Sequence, residues 1–191
     1  IASGLIWLSA RLGLPAPELG PAAELAAWIR GLEPRGHAVA GAAAGATVAW
    51  SIAMLLEPAL DIDGVQYHLP EVVRWLETGT PGSVELIFIE FPVGTYPVTN
   101  EVLLAWLGAL SGNIAVLYLW APATAWILLA SFVAGTRAAG ADRIWSWVGA
   151  AAVLAVPIFG DSAARLGTDL AASAWLAAGT ALAVIAVRTE R

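Results

Sequence analysis

The chain has 191 residues, 59% of them hydrophobic and 13% charged, and a formal net charge of −6. A soluble domain carries about 25% charged residues, so with a mean hydropathy of +0.76 the composition predicts an all-α integral membrane protein. The absence of cysteine excludes disulfides and thiolate metal sites, and the acidic balance argues against nucleic acid as a partner.

Residues 1–14 are apolar but broken by Arg11 and closed by Pro15, which suits the tail of an earlier helix. The opening "IASGLIW" lacks a Met and a basic n-region, so it does not read as a signal peptide; a start inside a longer polypeptide is expected. A short cytoplasmic surface helix at about 22–32 completes an N-terminal segment, 1–37, ahead of a transmembrane domain over 38–191. Four uncharged stretches, 38–56, 114–134, 144–160 and 170–187, have the length and apolarity of transmembrane helices.

Between the first two lies a long acidic loop, 57–97. Inside it Leu69, Val72, Val73 and Leu76 repeat at helical spacing, predicting an amphipathic helix over 69–78 with Pro70 in its first turn and Gly79 at its end. The pattern places this helix on the membrane with Glu71 and Arg74 towards water. The prolines of "EFPVGTYPVTNE", 90–101, favour an extended turn, and Thr99 or Asn100 is placed to cap a juxtamembrane helix over 99–110.

Charge sets the sides. Arg30, Arg35, Arg137, Arg143, Arg188 and Arg191 fall on one face if 98–134 crosses the membrane once, and the positive-inside rule makes that face cytoplasmic. The loop 57–97 and the short loop 161–169 then lie outside. Two full crossings between 98 and 134 would instead place Arg137 and Arg143 outside, with "SGN" (111–113) as a buried turn and a first crossing too short to span. Trp145 and Trp147 beside Arg143 read as an inner aromatic anchor. The Ala/Gly/Arg/Trp bias, with no lysine, points to a GC-rich genome, and the expected location is a bacterial cytoplasmic membrane with the acidic loop on the periplasmic or extracellular side.

The same parity brings Asp61, Asp63, Asp161 and Asp169 to one face. A carboxylate partly desolvated at the lipid boundary can take a proton from an acceptor hydroxyl; the competing reading makes Asp61 and Asp63 solvated loop acids. His68 beside Tyr67 suits a hydrogen-bonding structural residue, and Asp61, Asp63 and His68 are also a candidate divalent site. Asp169 either serves a site at the membrane mouth or favours the N-terminal dipole of its helix.

The stretches "DIDGVQYHLPEVVRWLETG", "FPVGTYPVTNEVLLAW" and "DSAARLGTDLAASAWLAAG" resemble, in order and spacing over roughly 38–187, the N-terminal part of GT-C membrane glycosyltransferases. The relevant branch is related to protein mannosyltransferases and lipid A aminoarabinose transferase. Asp63 stands four residues before Tyr67-His68, followed by Pro70, Trp75 and Gly79; Tyr96, Pro97 and Glu101 match a second element, and Asp169-Leu170 a third. The resemblance implies inverting transfer of a sugar from a polyprenyl-phosphate donor on the outer face. It assigns Asp63 as general base or acceptor-positioning residue and Asp169 as the second-loop acid, with Asp161 as alternative. Asp61, Tyr67, His68, Arg74, Tyr96, Glu101, Asp161 and Arg165 are then the candidate substrate-binding residues. It implies no certain cofactor; a divalent metal at Asp63 and Asp169 is used by some members. Those members have many more spanning helices and their phosphate-gripping basic groups further along, where this chain offers only Arg74 and Arg165 on the outer side. The chain is therefore expected to be a fragment, a split subunit or a degenerate relative. The alternative is a non-catalytic subunit of a larger membrane complex, respiratory or photosynthetic in type, whose partners are the lipid bilayer and other membrane subunits.

Overall fold

The computed structural model describes residues 30, 31, 33–58, 63–83, 98–156 and 168–189, and the described residues are helical with no strand among them. The chain forms two compact units, Ile1–Ala46 and Thr47–Arg191; the second holds every element below except the part of α1 before Thr47. Helix α1 runs Pro34–Leu56. A π-helical turn, Gly64–His68, leads into α2, Leu69–Thr78. Helix α3 spans Thr99–Ser111, and a 3-10 stretch, Ile114–Leu119, leads into α4, Trp120–Ala138. Then come α5, Arg143–Leu154, and α6, Thr168–Thr189. The expected helix tail 1–14, most of the surface helix expected at about 22–32, and residues 84–97 of the loop 57–97 lie outside the described residues.

Two prolines shape the irregular turns. Proline has no N–H to donate four residues back. At Pro70 this frees the Gln66 carbonyl, and Leu69 N–H bonds instead to Gly64 O, five residues back, which widens the turn carrying Tyr67 and His68. At Pro122 the Tyr118 carbonyl loses its partner, and the α geometry of α4 gives way to the tighter 3-10 stretch on its N-terminal side. Asn113 accepts from Ala115 N–H at 2.9 Å and so starts that stretch.

Three described helices are long and apolar enough to cross a membrane: Gly36–Leu56, Ile114–Ala138 and Thr168–Arg188. The expected span 144–160 differs. The helix there ends at Leu154 after 12 residues, about 18 Å against a hydrocarbon core of about 30 Å. The reason lies in the sequence: Pro157 biases Val156 away from helical geometry.

Contacts fix the helix directions. Thr47 Oγ1 accepts from Trp126 Nε1 at 3.0 Å, and Met54 packs with Leu117 and Tyr118, so this part of α1 is antiparallel to α4. Helices α4 and α6 are parallel: Ala125 and Leu128 pack with Leu170 and Ala174 near their beginnings, and the Arg188 guanidinium donates to Ala139 O at 3.3 Å at their ends. Between these points a Cβ on Gly135 would lie 3.2 Å from Ala181 Cβ. Lipid offers no hydrophobic drive for two helices to associate, and close approach over small residues supplies dispersion contacts instead. Helix α5 is antiparallel to α4. Its Gly149 meets the Phe132 ring, and Val153 and Leu154 pack on the Ala125–Leu128 cluster.

The amphipathic helix was expected to rest on the membrane. It packs on α3 instead. Val72 and Trp75 are buried in a cluster with Met54, Leu104, Ala105, Leu117 and Tyr118, and Leu69 and Leu76 pack against it. Glu71, expected towards water, is buried. Pro70 stands in the first turn and Gly79 closes the helix at φ +70°, as the sequence predicts. Trp75 Nε1 donates to Ser83 O at 2.8 Å and pins the following turn.

Candidate functional site

The π turn, the first turn of α3 and the beginning of α6 meet at one end of the bundle. They enclose a cavity of about 320 Å³ walled by Tyr67, His68, Thr99, Asn100, Thr168, Ala171, Ala172 and Trp175. The opposite end of α4 carries the Arg137 and Arg188 contacts, Arg137 donating to Ala141 O at 2.8 Å and Arg188 to Ala139 O.

His68 and Glu101, 33 residues apart in sequence, form a buried pair through Nδ1 and Oε1. Nδ1–H donates and the carboxylate accepts, which fixes the orientation of the imidazole. The Tyr67 ring lies against it at 4.1 Å between centroids. The other carboxylate oxygen, Oε2, is buried and has no hydrogen-bond partner among the described residues. His68 is therefore the hydrogen-bonding residue that the sequence allows, and Glu101 of the second motif is what it bonds.

Thr99 and Asn100 do not cap α3. Val98 occupies the cap position without a side-chain bond, and both residues lie inside the first turn. Asn100 is 8% exposed, and its Oδ1 accepts from Trp120 Nε1 at 2.8 Å. Trp120 in turn packs on Trp175, with ring centroids 6.2 Å apart.

Asp169 follows the wall residue Thr168 and Asp63 stands four residues before Tyr67; both are exposed, and neither is among the wall residues. Asp169 lies in the first turn of α6 and its neighbour Leu170 is buried in the α4–α6 seam. Arg74 is half-buried on α2. Asp61, Tyr96, Asp161 and Arg165 lie outside the described residues. Among the described residues no three His, Asp or Glu side chains converge to hold a metal ion, and no step below runs through a metal.

The structure thus unites Tyr67, His68 and Glu101 and sets Thr168 beside them, while sequence reasoning missed the site roles of Asn100, Trp120 and Trp175. A polar residue directly before Glu101 in an apolar helix was the one available signal. No protein-family model, no curated protein and no solved structure matches the chain.

Proposed function

We infer that the chain is the N-terminal part of a membrane glycosyltransferase that takes a sugar from a polyprenyl-phosphate donor on the outer face of a bacterial cytoplasmic membrane. One observation carries this reading. Three motifs separated by some hundred residues of sequence, around Tyr67-His68, Asn100-Glu101 and Thr168-Asp169, meet at a single cavity. Their meeting is what a shared site at the lipid boundary requires, and it is the convergence that the resemblance to GT-C enzymes implies.

The topology has four crossings. The parallel run of α4 and α6 supports it, because the chain between two parallel neighbours must return along their length, and α5 points in that returning direction. With Arg137, Arg143 and Arg188 inside, the cavity opens at the outer face.

In the reaction the acceptor O–H gives its proton to the Asp63 carboxylate. The acceptor oxygen forms a bond to the anomeric carbon from the side opposite the phosphate. The carbon–oxygen bond to the polyprenyl phosphate breaks, and the phosphate leaves with the electron pair, so configuration inverts. Arg74 and Arg165 are the outer cations suited to the departing phosphate. The buried His68–Glu101 pair holds the π turn that follows Asp63.

Transfer from a polyprenyl-phosphate sugar in proteoliposomes tests the assignment. Asp63→Asn should lower turnover at least about 100-fold, the range of a lost general base, with the near-ultraviolet circular dichroism of the tryptophans unchanged. Equal turnover removes Asp63 from this role. A chain that transfers nothing and purifies natively with a stoichiometric membrane partner is instead a non-catalytic subunit.

A further inference from the structure

The Asn100 side chain poses a donor without an acceptor. An indole nitrogen only donates, so the atom that meets Trp120 Nε1 must be the amide oxygen, and the orientation of the amide is fixed. That leaves the amide nitrogen, which is buried and has no hydrogen-bond partner among the described residues. Buried donors are nearly always satisfied, and one left alone is unfavourable. Asn100 also forms part of the cavity wall.

The rest of that wall narrows the choice of acceptor. Tyr67 and Trp175 offer aromatic surface, Ala171 and Ala172 leave room, and Thr99 and Thr168 bring hydroxyls. No arginine lies among the described wall residues, and the Nδ1 of His68 is committed to Glu101. An anion would meet no arginine or lysine among these wall residues; an uncharged ring with an apolar face and hydroxyl edges meets stacking surface and neutral donors. The volume of about 320 Å³ is at the low end of small-molecule sites, about 300–1,000 Å³, and suits one ring without a lipid tail.

We propose that this cavity binds the pyranose ring of a sugar, with Asn100 Nδ2 donating to a hydroxyl oxygen and Trp175 as the stacking surface. Trp120 is the positioning residue, holding the amide with its nitrogen free for the ligand. The inference rests on the transferase reading for the source of the sugar, but its chemistry is tested separately.

The full chain in nanodiscs is titrated with methyl α-D-mannopyranoside, methyl α-D-glucopyranoside and methyl β-D-galactopyranoside, and with farnesyl monophosphate as a sugar-free probe. At least one methyl pyranoside should bind. Asn100→Leu should raise its Kd about tenfold, the factor expected for one hydrogen bond. Ala172→Phe fills the cavity from an exposed position and should raise it at least as much. Farnesyl phosphate affinity should stay the same in both. If Asn100→Leu does not fold, Ala172→Phe decides alone. Wild-type protein that binds no pyranoside, or binding indifferent to the folded variants, overturns the subsite even where transfer is observed. Binding sensitive to them in a chain that transfers nothing upholds the subsite and removes the transferase reading.

Discussion

Replacing His68 and Glu101 singly and together puts the buried pair to a quantitative test. His68→Leu leaves the Glu101 carboxylate in a buried position with neither oxygen partnered, since Oε2 already lacks a partner among the described residues. A buried charge stripped of its partner destabilises by about 3–5 kcal/mol. Glu101→Leu leaves only the imidazole Nδ1–H without an acceptor, a loss of about 1–3 kcal/mol. His68→Leu is therefore the more damaging. In the double variant both polar groups are gone, and apolar side chains occupy the buried site. Its loss should fall below that of His68→Leu alone, with a coupling of about 2–3 kcal/mol, near the upper end for residues in contact. The assay is reversible unfolding in mixed micelles, followed by near-ultraviolet circular dichroism, for all four proteins. Losses that add, or a Glu101→Leu variant less stable than His68→Leu, refute the reasoning, because either outcome means that the carboxylate is not held by the imidazole.

Two further outcomes follow from the helix directions. Gly135→Val forces a branched side chain against Ala181, where even a Cβ meets backbone Cα at 3.3 Å; it should destabilise by about 1–3 kcal/mol, and Ala181→Gly should recover part of that loss in the same unfolding assay. The chain has no cysteine, so single cysteines need no cleared background: a cysteine at residue 140 should react with an impermeant maleimide only from the cytoplasmic side and one at residue 112 only from outside, and labelling of 140 from outside overturns the topology.

The apolar helices were legible because their lengths and composition depend on the chain alone. The starts of α2 at Leu69 and α3 at Thr99 coincide with the predicted ones, since Pro70 and the polar run before Glu101 act locally. What faced those helices was not legible. A stripe at Leu69, Val72 and Leu76 is equally apolar against lipid or against α3, and period alone does not tell them apart. Glu71 was placed in water because the pattern scores it as polar, whereas the packing of α2 turns it inward. The shortness of α5 is consistent with Pro157, which the uniform apolarity of 144–160 conceals. In the site, Tyr67, His68 and Glu101 were visible as motif residues, but their pairing spans 33 residues. Asn100 looked like a helix cap because its tertiary partner, Trp120, lies beyond a turn that sequence does not fold.

The 3-10 stretch before Trp120 also sets a level. The 19 residues from Trp120 to Ala138 rise about 28 Å, close to the hydrocarbon thickness of about 30 Å. The six residues above them climb about 2.0 Å each, some 12 Å more, which reaches the headgroup layer. On the proposed topology, with α4 filling the hydrocarbon, Trp120 stands at its water edge and the amide it holds lies at that depth. On that topology bilayer thickness becomes a control on the cavity: longer acyl chains are expected to submerge its mouth and shorter ones to bare it to the aqueous phase.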